Sequence, residues 1–216
     1  MTAPTPVSRA TLKRLPLYLH VLEGLERQGQ DHVSCTFIAG KFDFGAIQVR
    51  KDLEVTGVRG TARLGFKVTD LIRAIKVFLG WHNVQDAFLV GAGNMGKALL
   101  GYKDFESYGL NIVAVFDADP RKVGTKIFNK EVMPVAKMPA LAKRMHINIG
   151  IVTVSAESAQ SVVDAMVAAG IRAIWNFAPA SLEIPEGIIL ENARLTQSLA
   201  VLSNKLTHVL NGDIKE

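Results

Sequence analysis

The 216-residue sequence predicts an α/β protein in three parts: a small helical domain with a glycine-rich hairpin, a doubly wound parallel sheet, and one C-terminal helix. Three observations carry this. Apolar runs begin at AFLV (87), IVAVF (112), IGIVTV (149), AIWNF (173) and IIL (188), with helical stretches between most of them. That alternation builds a parallel sheet covered on both faces. Before residue 80, helical leucine spacing and glycine punctuation dominate instead. The excess positive charge also lies there: residues 1–80 hold 12 Lys and Arg against 7 Asp and Glu, whereas the remainder holds 13 against 13.

The first part comes element by element. Leu12, Leu15, Leu19 and Leu22 keep helical spacing after Ser8, and Gly29 supplies a stop. Pro16 falls inside that pattern and predicts a kink or a new first turn. Ser34 caps a short second helix over Cys35 to Ala39, and a third helix follows Gly45, from Ala46 to Glu54. Together they make a helix-turn-helix at about 17–56. Glycines 57, 60 and 65 among β-branched, aromatic and basic residues then predict a hairpin, a basic wing at about 55–68. Thr69 caps a helix with Leu71, Ile75, Phe78 and Leu79 on its apolar face, ending at Gly80. The domains are therefore expected at 1–82 and 83–190, with a helix and tail at 191–216. Leu195, Leu199, Leu202, Leu206 and Val209 form a stripe on that helix that needs a covering surface, its own domain or another chain.

Composition excludes several classes. Hydrophobic residues at 49% and charged residues at 21% suit a soluble protein with a sizeable core. No apolar run approaches the ~18 residues of a membrane span, and MTAPTPVSRA lacks the apolar centre of a signal peptide, so a cytoplasmic protein without membrane contact is expected. The single cysteine, Cys35, forms no internal disulfide and is expected in the core. The five histidines show no metal-ligand spacing.

The stretch FLVGAGNMGKALLGY at 88–102 holds the strongest signal. Gly91, Ala92, Gly93, Asn94, Met95 and Gly96 form a G-x-G-x-x-G turn between an apolar strand and a helix, and the next strand ends in an acid, Asp117. This is the Rossmann context for a dinucleotide: Gly91 for the turn, Gly93 for the approach of backbone amides to pyrophosphate, Gly96 for helix packing, with the helix N-terminus favouring negative charge. Asp117 suits the hydroxyls of an adenosine ribose and so NAD rather than NADP, while Arg121 and Lys122 would suit a 2′-phosphate. Ligands of such sheets lie at the carboxyl edge, which makes Thr153, Val154, Asn176, Phe177, Ala178 and Pro179 further candidates.

Hydride transfer requires a second reactant in its own pocket and usually a general acid or base. The residues after Leu190 read as one helix, leaving no substrate domain, so an enzyme is not expected. The basic first domain fits duplex DNA instead. In AIQVRKDL, Gln48, Arg50 and Lys51 are residue types that pair with adenine or guanine in the major groove. Arg59 and Arg63 on the wing and Arg14 on the first helix suit phosphate or a minor groove.

The strings KRLPLYLHVLEGLE, QVRKDL, GAGNMGKALLGY, VFDADPRKVG, AAGIRAIWNFAP and TQSLAVL, in that order and spacing, resemble the Rex family of redox-sensing transcriptional repressors over nearly the whole chain. The resemblance implies a winged-helix DNA-binding domain on a Rossmann domain, in a homodimer with swapped C-terminal helices. Such a dimer binds inverted-repeat operator DNA and releases it when NADH binds, so NADH/NAD+ is a sensed ligand and not a reactant. Tyr102 matches a tyrosine that in the family lies near the nicotinamide. His20 and Glu191 stand where the family usually has arginine and aspartate, and so join Tyr102 as candidates for the redox response. The wing, EVTGVRGTARLGFKV, departs from the usual family pattern, which leaves the exact operator open. Two alternatives remain: an NAD-dependent oxidoreductase, and a DNA-binding protein indifferent to NADH.

Overall fold

The computed structural model describes residues 7–211, and the chain divides into two compact units between Val84 and Gln85. The first unit opens with α1 (Arg9–Arg27), whose N-cap Ser8 accepts a hydrogen bond from the Thr11 amide at 3.1 Å. The helix runs unbroken through Pro16. A proline removes the bond to the carbonyl four residues back, here that of Leu12, on a part of the helix that is exposed. Leu15, Tyr18, Leu19 and Leu22 lie on one buried stripe that spans the proline.

After α1 come β1 (His32–Val33), α2 (Cys35–Ala39, capped by Ser34) and α3 (Ala46–Glu54). Then follow β2 (Phe66–Lys67) and α4 (Val68–Phe78). The hydrophobic core joins α1 to Ile38, Val49, Leu53, Val68, Leu71 and Ile75, all fully buried. The wing is more compact than the expected hairpin. β2 pairs antiparallel with β1, and the segment before it closes on itself through a Thr61–Gly65 bridge, with Arg63 in the left-handed region at φ 66°. Gly65 explains this arrangement: a Cβ there would strike the Val33 carbonyl, so the wing backbone lies directly on β1.

A buried carboxylate fastens α3 to α1. Asp52 is 1% exposed and sits on the same face of α3 as Val49 and Leu53. It accepts hydrogen bonds from Thr11 Oγ1 (3.0 Å), Arg14 Nε (2.6 Å) and Nη2 (2.8 Å), Tyr18 Oη (2.7 Å) and Gln48 Nε2 (3.0 Å). Burial pushes its pKa up, but Arg14, Tyr18, Thr11 and Gln48 outweigh that and hold it below the ordinary carboxylate value. Arg14 also lies over the Phe44 ring, 5.9 Å from its centre.

The second unit contains β3 (Gln85–Val90), α5 (Asn94–Gly101), β4 (Leu110–Asp117), β5 (Lys126–Ile127) and β6 (Lys130–Pro134). It continues with α6 (Met138–Met145), β7 (Ile149–Val152), α7 (Ala156–Ala168), β8 (Ala173–Asn176), β9 (Ile189–Asn192) and α8 (Leu195–Leu210). The sheet order is β5-β6-β4-β3-β7-β8-β9, parallel throughout except for β5. Without that edge strand, the six parallel strands follow the doubly wound order 3-2-1-4-5-6. The register aligns Val90 with Phe116 and Val152, and Val152 with Asn176, so the chain leaves four neighbouring strands at one edge.

Phe88 and Phe116, with ring centres 5.0 Å apart, lie in the core of one sheet face; Leu89, Val115 and Ile151 fill the other. The β5–β6 hairpin was not among the expected strands. Its turn places Phe128 at φ 54°, a conformation that aromatic residues seldom adopt. None of the residues of α8 is buried, and Leu195, Leu199, Leu202, Leu206 and Val209 are all more than half exposed.

The Asp52 cluster makes a stability prediction. Asp52→Asn keeps the shape but leaves Arg14 without its counter-charge, and urea unfolding of the first unit should show a loss of about 3 kcal/mol at neutral pH. Because the folded Asp52 titrates below the unfolded value of about 3.9, its contribution is complete above that pH and is lost as pH falls through the lower folded value. The variant should therefore lose less stability than the parent below about pH 4.

Candidate functional site

The 91–96 turn connects β3 to α5 at the carboxyl edge of the sheet. Gly91 has φ 111°, and a Cβ there would lie 2.6 Å from the Thr153 carbonyl oxygen. Thr153, just beyond β7, donates its hydroxyl to the carbonyls of Gly91 (2.8 Å) and Val90 (3.1 Å) and so clamps the turn. Gly96 faces inward, where a Cβ would strike the Gly91 carbonyl. Gly93 differs: a Cβ there would meet nothing within 4 Å. With Asn94 opening α5, the backbone amides border an open cradle of the kind a pyrophosphate fills. Ala92 is buried, Asn94 exposed, and Met95 partly buried.

Asp117 ends β4 beside that turn and is 7% exposed. Its Oδ2 accepts from the Ala92 amide (2.7 Å) and Lys122 Nζ (3.0 Å), and its Oδ1 from the Asp119 amide (2.8 Å). Burial raises its pKa, but the Asp119 amide, Lys122 and the Ala92 amide hold it below the usual value, so it stays ionised at neutral pH. The carboxylate thus supports the glycine turn from below while offering its remaining acceptor capacity to a ligand.

Asn176 is 1% exposed and serves the loop that follows β8. Its amide group donates to Asn192 Oδ1 (2.8 Å) and the Ala178 carbonyl (3.2 Å), and its Oδ1 accepts from the Ala178 amide (2.9 Å). Phe177 and Pro179 are left at the strand edge, Phe177 partly buried and Pro179 exposed; Val154 is partly buried one residue after Thr153. Tyr102 is placed elsewhere, at the far end of α5, about 12 Å along the helix from its start. It is nevertheless joined to the strand edge by aromatic rings: Tyr102 to Phe105 at 4.7 Å, Phe105 to Trp175 at 5.6 Å, and Trp175 to Phe177 at 4.8 Å. Phe105 and Trp175 were missed in the sequence because nothing in their spacing links a loop to a strand 70 residues later. Glu191 stands in β9 level with Trp175, and His20 is exposed on α1.

On the first unit, α3 and the wing border a cleft of about 800 Å3 lined by Cys35, Ile47, Arg50, Arg59 and Arg63 among others. Arg50, Lys51, Arg59 and Arg63 are exposed and available to an anionic polymer. Ile47 is 75% exposed at the outer face of α3. Gln48 is held by Asp52, and Arg14, expected to grip phosphate, is turned inward to the same carboxylate. Cys35 is not in the core as expected: it is half-buried in the cleft wall, where burial pushes its thiol pKa up against the opposing effect of Arg50. Among the described residues, no three His, Cys, Asp or Glu side chains group as metal ligands, and no helix is long and apolar enough to cross a membrane.

Residues 82–180 match the family model "CoA binding domain", and residues 6–54 match "Putative DNA-binding protein N-terminus". The redox-sensing transcriptional repressor Rex of Treponema denticola is 40% identical over 192 residues, 89% of this chain and 91% of that protein. The Rex of Bacteroides fragilis is 40% identical over 205 residues, 94% of this chain and 92% of its own. The crystal structure of the Rex-family repressor RSP in complex with β-NAD+ and operator DNA superposes with a TM-score of 0.87 at 36% identity, covering 98% of this chain and all of that one. The structure of RSP with β-NADH gives the same values. These relatives are named as repressors and not as enzymes, and they match both units. With the glycine turn on one unit and a basic helix and wing on the other, the chain belongs to the Rex family of redox-sensing transcriptional repressors.

Proposed function

We propose that this chain is a cytoplasmic homodimeric repressor that binds inverted-repeat operator DNA and releases it when NADH occupies the 91–96 turn. The observation that carries the reading is the open cradle at Gly93, bordered by an ionised Asp117, in the same chain as exposed Arg50 and Lys51 on α3. The backbone amides of the turn and the N-terminus of α5 hold the pyrophosphate, and Asp117 takes a ribose hydroxyl. The strand-edge residues Thr153, Val154, Phe177, Ala178 and Pro179 border the rest of the ligand. Tyr102 follows its redox state through the ring chain, and His20 and Glu191 remain the polar candidates for that response.

When bound, NADH supplies a neutral nicotinamide where NAD+ carries a positive ring. Burying that ring's charge without a partner is costly, so closure of the unit favours the reduced form. A ligand moves an equilibrium only by its differential affinity, and a ~100-fold preference for the closed state supplies about 2.7 kcal/mol. The exposed stripe on α8 supports a second copy as its cover. A symmetric dimer needs its two recognition helices about 34 Å apart on one face of the duplex, and closure alters that separation.

Fluorescence anisotropy of a labelled family-type inverted-repeat duplex tests this at fixed salt. NADH should release the DNA and NAD+ should not; binding that ignores NADH, or substrate-dependent turnover without DNA binding, would sink the proposal. Gly93→Ala should fold with parent stability, since its φ of −85° suits any residue, yet bind NADH about tenfold or more weakly because the methyl group occupies the cradle. Its DNA should then stay bound at NADH concentrations that release the parent. Arg50→Ala should cost about 1 to 3 kcal/mol of operator affinity with no change in NADH binding by calorimetry.

A further inference from the structure

Ile47 is the second residue of α3 and, at 75%, the most exposed large apolar side chain among the described residues of the first unit. Arg50 and Lys51 follow it three and four residues on, a spacing that puts all three on one helical face. Ile47 and Arg50 also line the cleft of about 800 Å3 that Arg59 and Arg63 of the wing border. We propose that Ile47 reads a thymine of the operator, packing its side chain on the C5 methyl group that thymine presents in the major groove. The inference rests on the DNA reading above and names a base-specific contact within it.

A single exposed isoleucine needs no explanation by itself. Its surroundings give this one meaning. The other side of α3 is filled: Val49 and Leu53 are fully buried, and Asp52 is 1% exposed among its donors. Three guanidinium groups border the cleft against one carboxylate, Glu54, and that surplus draws a phosphate backbone onto this face. A helix seated in the major groove meets base edges with its N-terminal residues, which in α3 are Ala46, Ile47 and Gln48. Ala46 is short and partly buried, and Gln48 donates its side-chain amide to Asp52 at 3.0 Å. Ile47 is the side chain at this end that stands clear to meet a base.

Chemistry then selects the base. Isoleucine has no donor or acceptor, so it gains nothing from the polar groups by which guanine, cytosine and adenine are told apart. The thymine methyl is the apolar feature of that code. The β-branch of isoleucine already restricts its χ1, so little rotamer freedom is lost when the side chain settles on the methyl. Arg50 and Lys51, one turn further along the same face, supply polar contacts to a neighbouring guanine or phosphate.

Deoxyuridine differs from thymidine by that methyl alone, and the methyl lies in the major groove, away from a wing in the minor groove. The thymines of the family-type inverted-repeat duplex are replaced by deoxyuridine one position at a time, symmetrically in both half-sites, and fluorescence anisotropy at fixed salt is read with the full chain. One position should weaken the parent about tenfold, from two methyl groups at about three- to fourfold each. Ile47→Ala, at an exposed helical position that alanine suits, should fold as the parent does. It should bind the thymine duplex about tenfold more weakly and lose less than about twofold more at that same position. A parent that binds the duplex but loses less than about twofold at every position would overturn the inference and leave the DNA reading standing. An Ile47→Ala variant that kept the full deoxyuridine penalty would overturn it too, because another side chain would then hold the methyl. If the parent did not bind the thymine duplex, both the inference and the reading on which it rests would fail.

Discussion

At the carboxyl edge of the sheet, two stretches of backbone pass closer than any side chain allows, and the site follows from that constraint. Gly91 lies against the Thr153 carbonyl and Gly96 against the Gly91 carbonyl, so the turn is pressed onto β7 on one side and onto its own helix on the other. Thr153 closes the arrangement with two hydrogen bonds, and Asp117 holds the Ala92 amide from the neighbouring strand. β3, β4 and β7 therefore all contribute to one rigid cradle. Of the three motif glycines, Gly93 is the one at which a Cβ would meet nothing within 4 Å, which is why the proposed ligand is seated there.

The first unit solves a different problem by electrostatics. Its third helix, α3, is only nine residues long, too short to hold its own orientation by propensity, and one buried carboxylate ties it to α1 through the side chains of Thr11, Arg14 and Tyr18. A charge buried in this way is tolerated because every lone pair is met and a guanidinium stands beside it. The same bonds turn Arg14 inward and engage the exposed Gln48 within α3, while Ile47, Arg50 and Lys51 stand exposed on that helix. The fold of this unit and the residues it can offer to a duplex are set by one cluster.

Much of this was legible in the sequence, and the failures have physical causes. Long apolar runs announced β3, β4, β7 and β8, and the glycine spacing announced the turn, because burial and backbone geometry restrict residue type locally. The β5–β6 hairpin left no such trace: its strands are two and five residues long, carry Lys126, Lys130 and Glu131, and lie at the sheet edge where one side is wet. Pro16 starts no new helix, and the packing on either side of it is not visible in a local pattern. Arg14 was taken for a surface cation, since its partner is 38 residues away. One signal was available: Asp52 lies between Val49 and Leu53 on an apolar stripe, and Thr11, Arg14 and Tyr18 keep helical spacing on another. An acid on a buried face demands donors, and those three supply them.

The bare surface of α8 ties this chain's architecture to its abundance. Sixteen residues are little more than the ~12 to 15 at which an isolated helix is marginal in water, and α8 gains nothing from burial within its own chain. With a second copy as its cover, as proposed, folding of this segment is second order: it follows the law of mass action, and its apparent stability rises with protomer concentration. A newly made chain at low copy number would carry a frayed C-terminal segment and become complete only on meeting its twin. Expression level would thus set how much of the protein is competent to read two half-sites at once.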